Sequence, residues 1–289
     1  MSKEKEKDNN TQSISTTRIL TEAGLMLAVG TVLSLVKILD LPYGGSVTVA
    51  AMLPVILIAY RHGIKWGLIT GLAFAIIRQL LGLKNLSYVT TWQSVLAVIF
   101  LDYIIAYTVL GFAGIFRKII KSQPAALVAG TILVCLLRYA CHVLSGATVW
   151  AGLSIPDGAA LIYSIGYNLT YMLPETVVTA IMAFYIGSLL DFRNPTIKHM
   201  KQTEKTKVPM LKWTGGLAIA AALVFDVRMI FANLQNPDTG KFDFSGLAST
   251  NWMLILIVTV VCAVIATATL TLAHFKQQKK ALEEAKGEK

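Results

Sequence analysis

Cysteines, histidines and acidic residues are scarce in this sequence, and so are motifs of hydrolytic chemistry. Three Cys, four His and 16 Asp or Glu residues occur in 289 positions. The cysteines, Cys135, Cys141 and Cys262, lie in apolar segments at no metal-ligand spacing, so we interpret them as packing residues. There is no GxxxxGK[ST] phosphate loop and no HExxH motif. We therefore expect neither ATP hydrolysis of that kind nor a zinc protease, and we predict no enzyme, cofactor or metal site.

Long apolar runs make up most of the chain. Hydrophobic residues account for 55% of the sequence, charged residues for 15%, and the mean hydropathy is +0.63. We predict an all-α polytopic membrane protein, surrounded by the lipid bilayer. The net charge of +10 does not indicate a nucleic-acid partner. The Lys and Arg residues lie in short loops and tails, where the positive-inside rule places them.

Eight runs are candidates for membrane-crossing helices. A helix needs about 20 apolar residues to cross roughly 30 Å of hydrocarbon, and the second run is shorter than that. The runs cover residues 18–39, 47–60, 66–83, 92–116, 124–149, 159–190, 213–234 and 252–274. With the amino terminus in the cytoplasm, the basic loops lie inside, and the outer loops hold only Lys84 and Lys241. This asymmetry predicts eight spans with both termini in the cytoplasm.

These runs divide the chain into five parts. No cleavable signal pattern precedes the first run. We predict a disordered cytoplasmic tail over 1–16, a six-helix membrane domain over 17–192, a basic cytoplasmic linker over 193–212, two further transmembrane helices over 213–274 and a charged cytoplasmic tail over 275–289.

A polar stripe in the fifth run is the first candidate for a functional site. Arg138, His142, Gly146 and Trp150 recur every four residues, so on a helix they form one slowly drifting stripe. Polar groups on a membrane helix face protein or a water-filled cavity, because lipid gives them no hydrogen bonds. We interpret this stripe as one wall of a ligand pocket.

Polar and aromatic residues of other runs fall at the same depth. Asp102, beside Tyr103, lies within the fourth run, and a structural salt bridge with Arg78 or Arg138 is the alternative to a binding role. Tyr163, Tyr167 and Tyr171 recur every four residues, with Asn168 beside them, and packing is the alternative there. The predicted topology puts six of these residues in the outer halves of four spans: Arg78, Asp102, His142, Trp150, Tyr163 and Asn168. Such a pocket suits a flat organic cation.

Three weaker features complete the set of candidates. The connection 41–46 contains Gly44 and Gly45, which allow a close approach to a ligand but also suit a plain turn. Gly24 and Ala28 form a small-xxx-small pair that permits close contact with another helix. Intramembrane charges also occur, and we assign them only to local pairing: Glu175, Asp226 and Arg228.

Several segments, in their order and spacing, resemble the thiamine-specific S components of energy-coupling factor transporters over residues 17–192. The segments are Pro42-Tyr43-Gly44-Gly45-Ser46-Val47, Leu53-Pro54, Arg61-His62-Gly63, Leu101-Asp102-Tyr103, Arg138-Tyr139 with His142, Gly146 and Trp150, and Ile162-Tyr163-Ser164 with Tyr167-Asn168. The resemblance implies a six-helix S-component bundle that holds thiamine near its outer surface.

The resemblance also implies roles for individual residues. Asp102 takes the family's acidic ligand position, and Gly146 gives room for a ring. The other implied ligand positions are Tyr43, Gly45, Tyr103, His142, Trp150, Tyr163 and Asn168. Arg78 is included as a ligand position, although the third helix departs here from members that have Trp and His.

The resemblance implies partners as well. An S component is a receptor in the bacterial plasma membrane that works with a transmembrane coupling protein and two ATPase subunits, and Gly24 and Ala28 would be its docking face. Residues 213–289 are not part of the usual fold. Two alternatives remain open, an S component for a thiamine precursor or another vitamin, and an ion-coupled secondary transporter that uses Glu175, Asp226 and Arg228.

Overall fold

The protein is described by a computed structural model that covers residues 15–41, 44–151, 158, 160–200, 209–234 and 243–287. Its helices are α1 (Thr16–Leu35), α2 (Leu53–His62), α3 (Ile64–Leu81), α4 (Trp92–Arg117), α5 (Gln123–Thr148), α6 (Ala160–Leu189), α7 (Pro209–Leu234) and α8 (Trp252–Gly287). The last nine residues of α4, Val109–Arg117, are a 3-10 helix, and further 3-10 segments cover Leu83–Tyr88 and Phe244–Ser249. Within the described residues, seven helices, all except α2, are long and apolar enough to cross a membrane. The expectation of an all-α polytopic membrane protein is confirmed.

Two small antiparallel hairpins interrupt the helical architecture. The first pairs β1 (Lys37–Asp40) with β2 (Ser46–Thr48), and the second pairs β3 (Leu190–Asp191) with β4 (Lys198–His199). The predicted first span, 18–39, therefore extends too far, because α1 ends at Leu35 and the following residues pair with β2.

The second predicted span, 47–60, is helical only in its later part. Helix α2 has 10 residues, about 15 Å at 1.5 Å per residue, and it is buried from Leu53 to Arg61. Glu22, near the start of α1, lies 2.7 Å from both Arg61 Nε and His62 Nε2, so α2 ends at the level where α1 begins. Residues 46–62 thus return across the bundle as strand, turn and short helix. Non-helical backbone is tolerated at this depth because protein surrounds it.

The beginnings of several helices follow from local sequence. The hydroxyl of Ser15 accepts a hydrogen bond from the backbone of Arg18 at the start of α1, and Thr91 does the same for Ser94 in α4. Helices α2 and α5 begin with a proline in their first turn, where the missing N–H costs nothing. These caps explain why the observed boundaries of α4 and α5 lie within a residue or two of the apolar runs.

Close packing places α2 at the centre of the bundle. The side chains of Ile56, Tyr60 and Phe74 are fully buried. A methyl group on Gly67 of α3 would come within 2.5 Å of the Ala59 side chain, so glycine is required for the close approach of α3 to α2. Helices α5 and α6 pack against each other along their lengths, and α7 packs on α6 and α8.

The carboxyl-terminal pair of helices forms a hairpin on the outside of α6. Helix α8 is mostly exposed over its apolar part, as expected for a helix that faces lipid. It continues to Gly287, beyond the predicted limit of 274, so most of the predicted charged tail is helical.

Candidate ligand-binding site

A cavity of about 550 Å³ lies between the carboxyl-terminal parts of α3 and α5, the middle of α4, the amino-terminal half of α6 and the β1–β2 hairpin. This volume is in the range of sites for small organic ligands. Eight of the ten residues predicted to contact a ligand line it: Gly45, Arg78, Asp102, Tyr103, His142, Gly146, Trp150 and Asn168. The structure thus brings together residues that are far apart in the sequence.

Asp102 is the most highly organised polar group of the cavity. His142 Nδ1 lies 2.8 Å from its Oδ1, Ser145 Oγ donates to Oδ2 at 2.6 Å, and Trp150 Nε1 donates to the same oxygen at 3.2 Å. All three partners lie on α5 or directly after it. Among the described residues, neither Arg78 nor Arg138 forms an ion pair with Asp102, in contrast to the alternative of a structural salt bridge.

The backbone around Asp102 is a π-helix. Residues Ile99–Ile105 take this form in the middle of α4, between two α-helical stretches. Such wide turns are rare and are often found at functional sites. Here the consecutive residues Asp102 and Tyr103 both line the cavity. The Tyr103 hydroxyl accepts a hydrogen bond from Asn85 Nδ2 at 2.8 Å, so the ring is fixed against the 3-10 segment that follows α3.

Asn168 joins α6 to α5 at the cavity wall. Its amide nitrogen donates to the His142 carbonyl at 3.2 Å and to Ser164 Oγ at 3.1 Å, and its oxygen accepts from Tyr171 Oη at 2.5 Å. A Cβ on Gly146 would overlap Ser164 Oγ. A glycine at position 146 is therefore also required for the close approach of α6 to α5, in addition to the predicted room for a ligand ring.

Two arginines form the deeper wall around Tyr107. Arg138 is only 7% exposed, its Nη2 donates to the Tyr107 hydroxyl at 2.9 Å, and its guanidinium lies 4.3 Å from the centre of that ring. Arg78 Nε donates to the same hydroxyl at 3.2 Å. Both cations are thus held by one tyrosine through hydrogen bonds and cation–π contacts.

The connection between β1 and β2 forms part of the cavity wall and is more than a turn between helices. Gly44 and Gly45 have φ angles of 103° and 80°, which favour glycine. A Cβ on Gly45 would come within 3.0 Å of the Tyr171 ring. Tyr43, predicted as a ligand contact, lies outside the described residues.

A second carboxylate, which is buried, holds the end of strand β2. Glu175 of α6 accepts hydrogen bonds from the backbone N–H of Thr48 at 2.5 Å and from its hydroxyl at 2.7 Å. Glu175 is only 2% exposed. Its partner is thus an uncharged residue 127 positions away in the sequence and not a nearby charge, and the contact ties strand β2 to α6.

Three predicted residues lie away from the cavity. Tyr163 does not line it, and its ring packs instead on Phe244 with 4.7 Å between ring centres. Its role as a ligand contact stays a prediction. Gly24 and Ala28 are exposed on α1, and a Cβ on Gly24 would meet no atom within 4 Å.

Sequence reasoning missed several residues of the wall. Tyr107 follows Tyr103 by four residues, a spacing that could have identified it as part of the same helix face. Tyr167 and Tyr171 belong to the tyrosine repeat but are not among the predicted ligand contacts. Ser145 does not line the cavity but donates to Asp102, and its position three residues after His142 could have placed it on the same helix face.

The fold and the cavity together indicate the class of protein. This is a polytopic helical membrane protein with a cavity lined by aromatic and polar side chains. The chain belongs to the family described as Thiamine transporter protein (Thia_YuaJ), whose model matches residues 20–192. The family resemblance seen in the sequence motifs is confirmed.

Two relatives are similar to the same part of the chain. Thiamine transporter ThiT of Bacillus subtilis (strain 168) is 36% identical over 175 residues, which cover 56% of this chain and 86% of the relative. A solved structure of ThiT from Listeria monocytogenes has a TM-score of 0.49 and 24% identity, and covers 58% of this chain and 92% of that one. The family match ends at Phe192, before α7 begins.

Proposed function

We propose that this protein is the thiamine-binding S component of an energy-coupling factor transporter, located in the bacterial plasma membrane with both termini in the cytoplasm. The observation that carries the proposal is the Asp102 carboxylate, held by His142, Ser145 and Trp150 in the wall of an aromatic cavity. Membership of the thiamine transporter family supports the choice of ligand.

The arrangement around Asp102 suits a flat cation with hydrogen-bond donors. A carboxylate has about four lone-pair sites, and three donors already occupy Asp102, so roughly one acceptor site is left for the ligand. The bond from Trp150 to Asp102 also fixes the plane of the indole, which gives an aromatic ring a rigid surface for stacking. The thiazolium charge of thiamine would be stabilised by ring faces and by the carboxylate.

The same geometry supports binding without covalent chemistry. Three neighbouring side chains hold the Asp102 carboxylate in the cavity wall, so it presents a fixed negative charge to a ligand. A family of transporters agrees with this role. We therefore propose a receptor and not an enzyme.

Helix α1 supplies a surface for the coupling partner. Gly24 and Ala28 are exposed on it, and no described atom would contact a Cβ on Gly24. Small residues let two helix backbones approach closely in a membrane. We propose that a transmembrane coupling protein docks here and that two ATPase subunits provide the energy for release of thiamine into the cytoplasm.

Ligand binding can be tested on the purified chain in detergent. Thiamine should quench tryptophan fluorescence saturably and should compete better than its separate pyrimidine and thiazole halves. A folded protein that gives no response by fluorescence or calorimetry would overturn thiamine as the ligand. Preferential binding of a precursor or of another vitamin would favour that alternative.

Energy coupling needs a separate experiment in vesicles. Uptake should require the coupling protein and the ATPases together with this chain. Uptake by this chain alone under an ion gradient would overturn the proposal in favour of a secondary transporter. Hydrogen bonds within the protein weigh against that alternative, because Glu175 accepts a hydrogen bond from Thr48, and Asp226 accepts one from Thr259 at 2.7 Å.

A further inference from the structure

Helix α6 has a weak point between its cavity-lining half and its inner half. Pro174 lies inside the helix, where it removes one backbone hydrogen bond and favours a kink. Tyr167, Asn168 and Tyr171, which line the cavity, all precede it. The outer half of α6 therefore depends on its neighbours to stay against the cavity.

Helix α7 lies along α6 and contacts it on both sides of Pro174. At the outer end, the Phe231 ring packs edge-on against Tyr167 with 5.8 Å between centres. At the inner end, Trp213 packs edge-on against Tyr185 at 3.7 Å. The two contacts are about 27 Å apart along each helix at 1.5 Å per residue, so α7 bridges the proline.

A third contact holds the outer end of α6. The Phe244 ring, at the start of the 3-10 segment Phe244–Ser249, lies 4.7 Å from the ring of Tyr163. The backbone N–H of Asp243 donates to the carbonyl of Leu234 at 2.7 Å, which fixes this segment to the end of α7. The carboxyl-terminal hairpin thus contacts two tyrosines in the first two turns of α6.

Tyr167 transmits this support to the site. Its ring packs edge-on against Tyr171 at 6.0 Å, and its hydroxyl lies 3.5 Å from the Gly44 carbonyl in the β1–β2 connection. Tyr171 in turn packs edge-on against His142 at 5.9 Å, and His142 contacts Asp102. Phe231 is 4% exposed and does not line the cavity, and three successive aromatic contacts connect it to His142.

We propose that the hairpin α7–α8 braces the outer half of α6 across Pro174 and thereby slows the release of bound thiamine. Phe231 and Phe244 are positioning residues that act through Tyr167 and Tyr163. This inference rests on the proposed function for its ligand, and it assigns a role to the part of the chain that lies beyond the family match.

The test compares Phe231→Ala and Phe244→Ala with the unmodified full chain. Each substitution should raise the dissociation rate of radiolabelled thiamine about 3- to 10-fold and leave the association rate nearly unchanged, since an aromatic pair contributes on that scale. Phe231→Leu, which keeps apolar volume, should restore most of the slow release. It also serves as the second variant if Phe231→Ala does not fold.

A readout without ligand separates this inference from the proposed function. Amide hydrogen exchange of residues 160–173 should become faster in Phe231→Ala, because the brace is lost whether or not thiamine is present. Trp213→Ala should act in the same direction, because it removes the inner anchor of the brace. If the unmodified chain binds no thiamine, the proposed function fails. The exchange experiment then still tests whether the hairpin α7–α8 stabilises the outer half of α6.

Thr259→Val is the matched control. It removes the hydrogen bond from α8 to Asp226 of α7 without altering any contact to α6, so hairpin stability falls while thiamine release stays within about twofold. Unchanged dissociation and unchanged exchange in folded Phe231→Ala and Phe244→Ala would overturn the brace. A Thr259→Val variant as fast as Phe231→Ala would overturn it too, since the effect would then follow stability alone.

Discussion

Asp102 and Glu175 are two carboxylates at membrane depth that serve the same cavity in different ways. The Asp102 side chain is 16% exposed and lines the cavity. Its hydrogen-bond partners are side chains in α5 or directly after that helix. Glu175 is almost fully buried and binds the backbone and hydroxyl of Thr48. We propose that the first meets a ligand, whereas the second holds strand β2 beside the cavity. The two carboxylates thus differ in their hydrogen-bond partners and in their access to the cavity.

The largest expected effect is that of Asp102→Asn on affinity. Thiamine affinity should fall about 30-fold or more, because losing one partner of a buried charged contact costs roughly 2–5 kcal/mol. Calorimetric titration measures the affinity, and thermal unfolding serves as the control, with a midpoint close to that of the unmodified chain. Unchanged affinity would remove Asp102 from the binding site.

Glu175→Gln should show the opposite pattern. The amide oxygen of glutamine can still accept one hydrogen bond from Thr48, but its NH₂ group would face the other donor of Thr48. Because that donor would lose its partner, the free energy of unfolding should fall by about 1–3 kcal/mol. Denaturation in detergent measures this change. The thiamine affinity of the folded fraction should change less than it does in Asp102→Asn. A larger loss of affinity in Glu175→Gln than in Asp102→Asn would contradict the proposed difference between the two carboxylates.

Gly45→Ala tests whether the β1–β2 connection must approach the cavity so tightly. The new methyl group would lie 3.0 Å from the Tyr171 ring at a φ of 80°, and backbone strain of that kind costs on the order of 1–3 kcal/mol. Thiamine affinity should drop about 5- to 10-fold. Gly63→Ala is a suitable control, since Gly63 also has a positive φ of 90° but no atom within 4 Å of an added Cβ.

Thr48→Val should have the smallest effect. It removes the hydroxyl, which donates to Glu175 and accepts weakly from the Ala51 N–H at 3.3 Å, but it leaves the backbone hydrogen bond from Thr48 to Glu175 in place, so stability should decrease by about 1 kcal/mol. A double-mutant cycle with Glu175→Gln measures the coupling between the two residues. Additive effects would show that the hydroxyl contributes independently of the carboxylate.

The sequence predicted the long helices well and the short one poorly. The runs that became α3 to α6 end within about two residues of the observed boundaries, because their apolar length is set by the bilayer. Helix α2 is buried on all sides, so its apolar run gave no sign that the first residues form a strand and turns. The π-helix around Asp102 has no periodic signature that an apolar run could show.

The polar residues of the site were predicted more completely than its tyrosines. Asp102, His142 and Trp150 were found because polar groups in apolar helices are conspicuous. Four residues turn an α-helix by about 40° more than one full turn, so Tyr163 and Tyr171 point about 80° apart. This rotation explains why Tyr171 faces the cavity while Tyr163 faces Phe244.

The π-helix in α4 makes the positions of cavity side chains depend on the number of residues in that segment. Each hydrogen bond of a π-helix spans one residue more than that of an α-helix, so the segment Ile99–Ile105 behaves as an α-helix with an inserted residue. Deleting one residue there would restore regular winding and rotate Asp102 by about 100° relative to Tyr107. No substitution makes that change. The arrangement of the two side chains is therefore a property of residue number as much as of residue type.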